Sequence, residues 1–508
     1  MAATVGSAVH WWARTDGDRP AIVVDAETLT YRELRDWSSR VARRLADDGV
    51  KPGDRVGLLA PNCLYWPVAA LAVLKAGAVL VPLNSRLKPA ELRKVVDDAG
   101  VSAMFATSAL THVAGDAKAD GREFDIFDLE GVAAEEFGEP DDFRIDSEVN
   151  DPIAVIFTSG STGLSKGVIL TNQTLLSIVL ERTLTEEGFR PGSVSLLVLP
   201  LAFTPGLVYG LLLTAVLGGT LIVERELNPS RAVSLLEKHS VRAIFGVPLI
   251  FEAMSRAPEF ADADLSSLQT AIVGGAAVPT DLLAAWAAKG VLLRQIYGMT
   301  ESGGVATATL KSEALDQPGS CGIGSIFTDV RVVAEDGSPA LPGHPGEVVV
   351  RGPGVTPGYW EDPVSTAQAI RDGWLHSGDL GSTDAEGRIT FVDRMKDLII
   401  SGGINISPVE LEATIGTLEG VEEVAVIAAN DSRFGETPAA IIKVAAGADH
   451  LDEAAVIAHC EKVLSDYKVP RYVVLRSEAL PRLPSGKLAK KVLREEYADV
   501  SERFPRAR

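Results

Sequence analysis

The sequence predicts an α/β protein with a large N-terminal domain of two layered α/β subdomains plus a small β subdomain, and a smaller α+β C-terminal domain. Three observations support this class: the chain length, an alternation of helices and strands, and a late change to short strands with tight turns. With 508 residues, the chain is longer than one hydrophobic core usually covers. Its apolar fraction of 46% and charged fraction of 23% are ordinary for a globular protein.

The alternation of helices and strands starts near the N-terminus. The run Thr30–Glu33 has the pattern of a capping box. Apolar residues follow at helical spacing from Leu34 to Leu45, and Gly49 is placed to end the helix. The apolar run Val56–Leu59 then predicts a short strand, and this order of elements continues along the chain.

A helix end, a glycine and a strand occur twice in similar form, at 71–82 and at 213–223. Two related α/β layers would explain this similarity. Because α/β units often look alike, an accidental likeness explains it equally well, and the sequence leaves both explanations open.

The small β subdomain is predicted from 330 to 350, where short apolar runs alternate with Asp-Gly and Pro-Gly turns. The polar segment 387–397 has the character of a connector, and a compact α+β pattern follows it. We therefore predict an N-terminal domain of residues 1–393 and a C-terminal domain of residues 394–508.

The segment Pro191–Val223 contains no charged residue and raises the alternative of a transmembrane helix. Prolines and glycines interrupt it, so we predict instead a strand at Ser195–Leu199, a buried helix at Leu207–Val216 and a strand at Thr220–Val223. We expect no transmembrane span, whereas weak association with a membrane surface and a homodimer stay compatible with the sequence.

Composition limits the partners and the compartment. A net charge of −21 opposes binding along a nucleic acid, so any phosphate must be held by a local set of groups. The cysteines Cys63, Cys321 and Cys460 are too scattered for a disulfide framework or a zinc site. We interpret them as reduced thiols of a cytoplasmic protein.

The strongest chemical signal is the run TSGSTGLSKG from Thr158 to Gly167. Its glycines let successive backbone N–H groups converge on one anion, its hydroxyls add donors, and Lys166 adds charge. Because Gly167 follows the lysine, the run does not match the Walker A pattern, and its flanks predict a strand–loop–strand unit. The structural alternative is a flexible surface hairpin, which the dense glycine and hydroxyl content argues against.

This run resembles the signature loop of the adenylate-forming superfamily, which includes acyl-CoA synthetases, luciferases and the adenylation domains of peptide synthetases. Further motifs similar to those of the family follow in order along essentially the whole chain: GGA at 274–276, YGMTE at 297–301, SGD at 377–379, DRMKD at 393–397, SGG at 401–403 and PSGK at 484–487. The ordered set is specific, and it is most similar to fatty-acid-type acyl-CoA synthetases.

The resemblance implies an ATP site and three catalytic residues. Lys487 would bridge the acid carboxylate and the α-phosphate, Thr300 would contact phosphate, and Glu301 would hold Mg²⁺. Taken singly, Lys487 reads as a solvated surface lysine and Glu301 as an acid at a helix N-terminus. The nucleotide would be held by Thr158, Ser159, Gly160, Ser161, Thr162, Gly163, Lys166, Gly274, Gly275, Ala276, Tyr297, Gly298, Met299, Asp379 and Arg394.

The resemblance also implies a second step in which the acyl group passes to coenzyme A (CoA). The smaller domain would be mobile and would turn about a hinge at Lys396. Ser401, Gly402 and Gly403 would then line the CoA tunnel, where glycines allow close backbone approach.

The segment PLAFTPG at 200–206 bears on the acid, because it would border the acyl pocket. It departs from the family pattern, since many acyl-CoA synthetases have an aromatic residue followed by histidine at its centre. Thr204 carries no charge to pair the ammonium of an amino acid, so we expect an apolar or aryl acid. We expect Gly303 and Gly304 to leave room for its tail. The candidate pocket residues, each also readable as core, are Phe203, Thr204, Val247 and Val305.

The sequence therefore predicts an ATP-dependent carboxylic acid–CoA ligase, which forms an acyl-adenylate with release of pyrophosphate and then an acyl-CoA with release of AMP. Its small molecules would be ATP, Mg²⁺, CoA and an organic acid. An acid–AMP ligase that transfers the acyl group to an amine or a carrier protein is the alternative. A non-catalytic binding protein is a third reading, which the presence of Lys487, Glu301, Asp379 and Arg394 opposes.

Overall fold

The computed structural model describes residues 3–87, 89–118, 124–136, 138–158, 166–401, 404–431, 434–448, 450–483 and 487–507, without the side chains of 396 and 405. These residues form two compact units, one of Met1–Val330 and Val349–His376, the other of Arg331–Val348 and Ser377–Arg508. The unit bounds differ from the predicted domains 1–393 and 394–508. The domain boundary between residues 393 and 394 and the hinge at Lys396 stay predictions.

The first unit is an α/β structure. Its strands are β1 (Pro20–Val24), β2 (Glu27–Thr30), β3 (Arg55–Leu59), β4 (Val79–Leu83), β5 (Val101–Ala106), β6 (Asp125–Asp128), β7 (Pro152–Thr158), β8 (Lys166–Thr171), β9 (Val194–Leu197), β10 (Thr220–Val223), β11 (Ala243–Gly246), β12 (Thr270–Gly274), β13 (Leu293–Tyr297) and β14 (Thr307–Ala308). Its helices are α1 (Val5–Thr15), α2 (Tyr31–Asp47), α3 (Tyr65–Lys75), α4 (Pro89–Ala99), α5 (Thr111–Asp116), α6 (Asn172–Thr185), α7 (Leu213–Val216), α8 (Pro229–Lys238), α9 (Pro248–Ser255), α10 (Thr280–Ala288) and α11 (Pro363–Ala369).

These strands form two sheets. Sheet I has the order β6-β5-β3-β4-β7-β8, and sheet II has the order β14-β13-β12-β11-β9-β10-β1-β2. In both sheets a central strand is flanked by parallel partners, β3 by β4 and β5, and β9 by β10 and β11. In both, an antiparallel hairpin lies beyond the second strand, β7–β8 in sheet I and β1–β2 in sheet II.

The two sheets therefore match strand by strand over six positions, which favours related α/β layers over an accidental likeness, the two explanations that the sequence left open. The repeated sequence unit occupies the same place in each: α3 leads into β4, and α7 leads into β10. The turn between helix and strand contains a glycine with positive φ in both cases, Gly77 at +71° and Gly218 at +63°. Positive φ is strained for residues with a Cβ, which explains a glycine in both turns.

The predicted elements near the N-terminus are present. The Thr30 side chain accepts a hydrogen bond from the Glu33 backbone, so the capping box at the start of α2 is formed. Gly49, with a φ of +97°, follows the end of that helix. Buried apolar residues of α2 and α3, including Trp37 and Trp66, belong to the largest core cluster.

The charge-free segment folds as predicted, with one difference. Strands β9 and β10 enclose a buried helix, but the helix begins at Pro205, and the part Pro205–Leu212 is a π-helix that continues into α7. The sequence predicted an ordinary helix from Leu207, because a π-helix has no distinct composition. In the part of the chain that the structure describes, no helix combines the length and apolarity needed to cross a membrane.

The second unit contains the C-terminal α+β structure. The remaining strands are β15 (Asp329–Val333), β16 (Gly346–Arg351), β17 (Ile370–Arg371), β18 (Trp374–Thr383), β19 (Ile389–Arg394), β20 (Ile399–Ser401), β21 (Ile404–Ile406), β22 (Val421–Asp431), β23 (Gly435–Val444) and β24 (Tyr472–Arg476). The remaining helices are α12 (Pro408–Ile415), α13 (Glu453–Val463), α14 (Lys490–Glu496) and α15 (Val500–Arg503). Strands β15 to β19 form one sheet, and β20 to β24 form another with its own apolar core.

Candidate active site

Most of the predicted site residues of the first unit lie at one edge of sheet II. Strands β9, β11, β12 and β13 are parallel neighbours, so their carboxyl ends meet at the same edge. From β9 the chain continues to β10 on one side and then to β11 on the other, so the strand order reverses between β9 and β11. In open α/β sheets, ligands bind at the carboxyl ends beside such a reversal. The residues that follow these strands are Phe203 and Thr204 after β9, Val247 after β11, Gly274–Ala276 at β12 and Tyr297–Glu301 at β13.

Glycine is required at two of these positions by close packing. At Gly274, a Cβ would lie 2.4 Å from Cγ1 of Ile296 on the neighbouring strand β13. At Gly298, a Cβ would lie 2.3 Å from the carbonyl oxygen of Gly304. Gly275 has a φ of +85° and, like Ala276, is exposed beyond the end of β12. The structure therefore exposes Gly275 and Ala276 of the first motif at the sheet edge, whereas the residues 297–301 of the second are buried or half-buried there.

Thr300 and Glu301 lie in a short 3-10 turn directly after β13. The Oγ1 atoms of Thr300 and Thr204 are 2.8 Å apart, which joins the loops after β13 and β9. Glu301 is buried, at 7% exposure, and its Oε1 accepts a hydrogen bond of 3.0 Å from the hydroxyl of Tyr359. Its backbone carbonyl accepts a further hydrogen bond of 2.8 Å from Thr356 N–H.

Tyr359 was not among the residues selected from the sequence. Its ring centroid lies 4.9 Å from Nζ of Lys166, so one aromatic side chain contacts both a predicted phosphate ligand and Glu301. Desolvation, and then the charge of Glu301, raise the pKa of the Tyr359 hydroxyl, which keeps it a proton donor. The available signal was its place in the run Pro357–Trp360, a turn with two aromatic residues.

The predicted phosphate loop is bounded by two strand residues. Thr158 at the end of β7 pairs with Lys166 at the start of β8, so the predicted strand–loop–strand order is correct. The Oγ1 of Thr158 lies 3.5 Å from the carbonyl oxygen of Lys166. The loop positions Ser159, Gly160, Ser161, Thr162 and Gly163 lie outside the described residues.

The predicted acyl-pocket residues are close to the reversal of strand order, and two of them are nearly inaccessible. Thr204 and Val305 are 5% and 4% exposed, and Phe203 and Val247 are half-buried. A cavity lined by Thr204, Thr300 and Gly303, among others, has room for about one water molecule. This cavity is therefore too small to hold an organic acid.

The expectation that Gly303 and Gly304 leave room for a bulky tail is wrong. A Cβ at Gly303 would lie 2.7 Å from Cδ1 of Ile178, and one at Gly304 would lie 2.7 Å from Cε2 of Tyr209. Both residues have positive φ, +76° and +97°. They are glycines because the chain turns and packs closely there, and the neighbouring space is already filled.

The second unit brings together three of the predicted residues. Asp379 on β18 and Arg394 on β19 face each other in the sheet, with Arg394 Nε 3.3 Å from Asp379 Oδ1. Desolvation lowers the pKa of the Lys487 amine, the guanidinium of Arg394 lowers it further, and the carboxylate of Asp379 opposes this. The charge of Lys487 is therefore coupled to Asp379 and Arg394, which are both predicted to bind the nucleotide.

The predicted hinge is held by hydrogen bonds on both sides. The buried Asp393 carboxylate accepts from the Ser407 hydroxyl at 2.8 Å and from Val409 N–H at 3.1 Å, at the start of α12. Asp397 Oδ1 accepts from Arg494 at 2.8 Å. Lys396 lies between them in a 3-10 turn, and the structure does not describe its side chain.

The candidate CoA-tunnel residues are only partly described. Ser401 is buried at the end of β20 and pairs with Ile404 of β21. Gly402 and Gly403 lie outside the described residues. Their role in a tunnel stays a prediction.

A metal ion would depend mainly on Glu301. Among the described residues, no group of three or more His, Cys, Asp or Glu side chains is arranged to hold a metal. Proteins usually bind Mg²⁺ through one or two carboxylates together with substrate phosphates and water. The role of Glu301 in holding Mg²⁺ stays a prediction.

Two family models match the chain. The model of the AMP-binding enzyme covers residues 9–360, and the model of the AMP-binding enzyme C-terminal domain covers residues 410–487. Together they cover parts of both compact units.

Curated relatives match over nearly the whole length. A feruloyl-CoA synthase of Amycolatopsis is 38% identical over 96% of this chain and 97% of its own. A long-chain-fatty-acid–CoA ligase of Mycobacterium tuberculosis is 35% identical over 92% of this chain and 93% of its own.

Among solved structures, ATP-bound MatB from Rhodopseudomonas palustris superposes with a TM-score of 0.88 at 30% identity, covering 98% of this chain and all of that one. The predicted fold class, with a large N-terminal and a smaller C-terminal part, is confirmed by this similarity. The chain belongs to the AMP-binding enzyme family, within the adenylate-forming acyl-CoA synthetases.

Proposed function

We propose that this protein is an ATP-dependent acid–CoA ligase that activates an apolar or aryl carboxylic acid. At the level of reaction class, the prediction of an AMP-forming acid–CoA ligase is confirmed by the curated relatives. ATP and CoA are the substrates of such enzymes. The single observation that carries the proposal for the site is the meeting of Thr204, Thr300 and Glu301 beside the reversal of strand order in sheet II.

The environment of Thr204 supports an apolar acid. Its buried hydroxyl is paired with Thr300, and the neighbouring candidates Phe203, Val247 and Val305 are all apolar. An amino acid would leave its ammonium without a counter-charge, which is costly away from water. The two named relatives act on a phenolic acid and on long-chain fatty acids, both of which have apolar skeletons.

In this proposal, the phosphates of ATP are held between the loop after β7 and the turn after β13. Lys166 supplies charge at the start of β8, and Glu301 is oriented by the Tyr359 hydroxyl. A Mg²⁺ ion held by Glu301 would offset phosphate charge during the displacement. Thr300 presents its hydroxyl at the same edge.

Lys487 has the role of bringing two anions together in the first step. Its ammonium would donate hydrogen bonds to the acid carboxylate and to the α-phosphate, so charge that shifts between them stays neutralised. A preorganised donor of this type contributes about 3–4 kcal/mol to transition-state stabilisation. Asp379 and Arg394, which are coupled to Lys487, are proposed to hold the ribose.

The test separates the two half-reactions with Lys487→Ala. We expect adenylate formation, measured as acid-dependent pyrophosphate exchange, to fall by about 10²–10³-fold. Formation of acyl-CoA from preformed acyl-adenylate should be retained, because Lys487 has no task in that step. Lys491→Ala, which removes an exposed lysine of α14, is the matched control. Equal loss of both half-reactions would contradict the assigned role.

A pH profile gives an independent test of Lys487. The protonated amine is the active form, and its pKa is lowered in the free enzyme, so kcat/KM for ATP should decline at a pH below the ordinary lysine value of about 10.4. Lys487→Arg keeps its charge over this range and should lose the basic decline. A decline that persists unchanged in Lys487→Arg would assign it to another group.

Three further elements belong to this proposal. Lys396 is the pivot for domain rotation, Ser401, Gly402 and Gly403 line the CoA tunnel, and the protein is cytoplasmic. The last element is supported by the cysteines Cys63, Cys321 and Cys460, which form no disulfide in the structure. Pyrophosphate release assayed with and without CoA distinguishes this ligase from an acid–AMP ligase that uses an amine or a carrier protein, because only the former accelerates with CoA.

A further inference from the structure

The π-helix Pro205–Leu212 starts directly after Phe203 and Thr204 and packs across the ends of two strands. At Gly210, a Cβ would lie 3.2 Å from Cδ1 of Leu197, the last residue of β9. The ring of Tyr209 packs on Phe245 of β11, with centroids 5.1 Å apart and planes at 33°. Tyr209 therefore lies behind the reversal of strand order, where the proposed acyl group enters.

Tyr209 also reaches the loop after β13. Its hydroxyl donates a hydrogen bond of 2.8 Å to the carbonyl oxygen of Gly303, and the side chain is only 3% exposed. Its Cε2 lies 2.7 Å from the place where a Cβ of Gly304 would be. The position of Gly304 against the ring explains why this residue cannot carry a side chain.

The hydrogen bond to Gly303 restricts movement of the Tyr209 ring. If the ring turned away, the hydroxyl and the Gly303 carbonyl would both lose their partner in a buried site, which is penalised. Phe245 and Gly304 pack against the ring. A flexible aliphatic residue could give way to a ligand at lower cost, since it would break no hydrogen bond.

We propose that Tyr209 closes the inner end of the acyl pocket and restricts the enzyme to compact acids, aryl or short-chain, excluding long-chain fatty acids. This inference rests on the proposed function and narrows its substrate class. It assigns the selectivity to the Tyr209 ring that fills the space beside Gly304. The hydroxyl fixes the ring and does not itself recognise the acid.

The experiment compares kcat/KM for a hydroxycinnamic acid, butanoate, octanoate and dodecanoate in the wild type, Tyr209→Leu and Tyr209→Phe. We expect the wild type to prefer the hydroxycinnamic acid to dodecanoate by at least about 10-fold, since small steric mismatches discriminate by about 10–200-fold. Tyr209→Leu should shift this ratio toward dodecanoate by at least about 10-fold. Tyr209→Phe keeps the ring and loses only its hydrogen bond to Gly303, so the ratio should shift toward dodecanoate by less than in Tyr209→Leu, and the melting temperature should fall.

Two results would overturn the inference. One is a wild type that turns over dodecanoate as well as the aryl acid, and the other is a folded Tyr209→Leu variant with an unchanged ratio. If Tyr209→Leu does not fold, the wild-type length series and Tyr209→Met decide the question. Absence of acid-dependent pyrophosphate exchange with every acid would instead refute the proposed function, so the two failures are distinguishable.

Discussion

Sheets I and II share one topology, but most of the described candidate site residues of the first unit lie at the edge of sheet II, and sheet I contributes Thr158 and Lys166 of the hairpin β7–β8. The six matching strands have the same order and the same parallel and antiparallel pairings. Sheet II continues beyond β12 with β13 and β14, and Tyr297–Glu301 lie at the carboxyl end of β13. The comparison teaches that the topology offers an edge for binding, whereas the segments after the strands decide whether that edge is used.

The residues that follow the strands differ accordingly. In sheet I, β3, β4, β5 and β6 are followed by Ala60, Asn84, Thr107 and Leu129. In sheet II, β12 ends at Gly274, and the positive φ of Gly275 turns the backbone outward. Exposed backbone N–H groups suit an anionic ligand.

The edge of sheet I instead supports sheet II. Asn62, which follows β3, donates hydrogen bonds of 3.0 Å and 2.9 Å to the carbonyl oxygens of Leu199 and Glu224. Its Oδ1 accepts a hydrogen bond of 2.8 Å from Leu201 N–H. One buried amide thus fixes the segment that leads from β9 to Phe203 and Thr204.

The largest expected effect is on chemistry at the edge of sheet II. Glu301→Gln removes the carboxylate proposed to hold Mg²⁺ and should lower adenylate formation by about 10²–10³-fold. The matched control is Glu130→Gln after β6, since the Glu130 carboxylate accepts hydrogen bonds from the backbone N–H and the hydroxyl of Ser108, which follows β5 at the edge of sheet I. Pyrophosphate exchange over a range of Mg²⁺ concentrations is the measurement. Similar losses in both variants would remove the functional difference between the sheets.

The next effect is on stability at the edge of sheet I. Asn62→Ala leaves buried groups without partners and should lower the free energy of unfolding by about 2–4 kcal/mol. Adenylate formation well below the melting temperature should change by less than about 10-fold, because Asn62 touches no reacting group. Asn84→Ala, which removes one local hydrogen bond to Arg86 N–H, is the control. A large loss of activity without a loss of stability would make Asn62 part of the site.

The smallest effect concerns Tyr359. Tyr359→Phe removes one hydrogen bond to the charged Glu301 and should lower kcat/KM for ATP by about 10-fold. Since the ring is retained, the loss should come mainly from weaker binding of Mg²⁺. Titration of the rate with Mg²⁺ measures this binding. Tyr65→Phe in α3 is the control from the half of the unit that contains sheet I. A tyrosine with a purely structural role would change the melting temperature and leave the Mg²⁺ dependence as it was.

Much of the fold was predictable because it follows from local rules. The capping box before α2, the strand β3 and the strand–loop–strand order around Thr158 and Lys166 depend on residues close together in the chain. The ordered motifs also predicted the family, because the chemistry of ATP needs glycine, hydroxyl and charged groups at set spacings. The assigned roles of Lys487, Asp379, Arg394 and the loop residues stay predictions that the experiments above address.

The failures have a common cause. The π-helix at Pro205–Leu212 and the filled space beside Gly303 and Gly304 depend on packing against Leu197, Phe245 and Ile178. No local pattern encodes these neighbours. A glycine in a sequence equally suits an open pocket and a tight contact, and only the surrounding side chains distinguish the two.

By itself, the sequence determined the class of chemistry, since the types and spacing of its polar residues decide which ligands the chain is able to hold. The tertiary structure decided which of these residues meet. Thr204 reaches Thr300 across 96 positions, Tyr359 reaches Glu301 across 58, and Asn62 reaches Leu201 across 139. Such pairs follow from the order of strands within and between the two sheets, which no segment of the chain specifies alone.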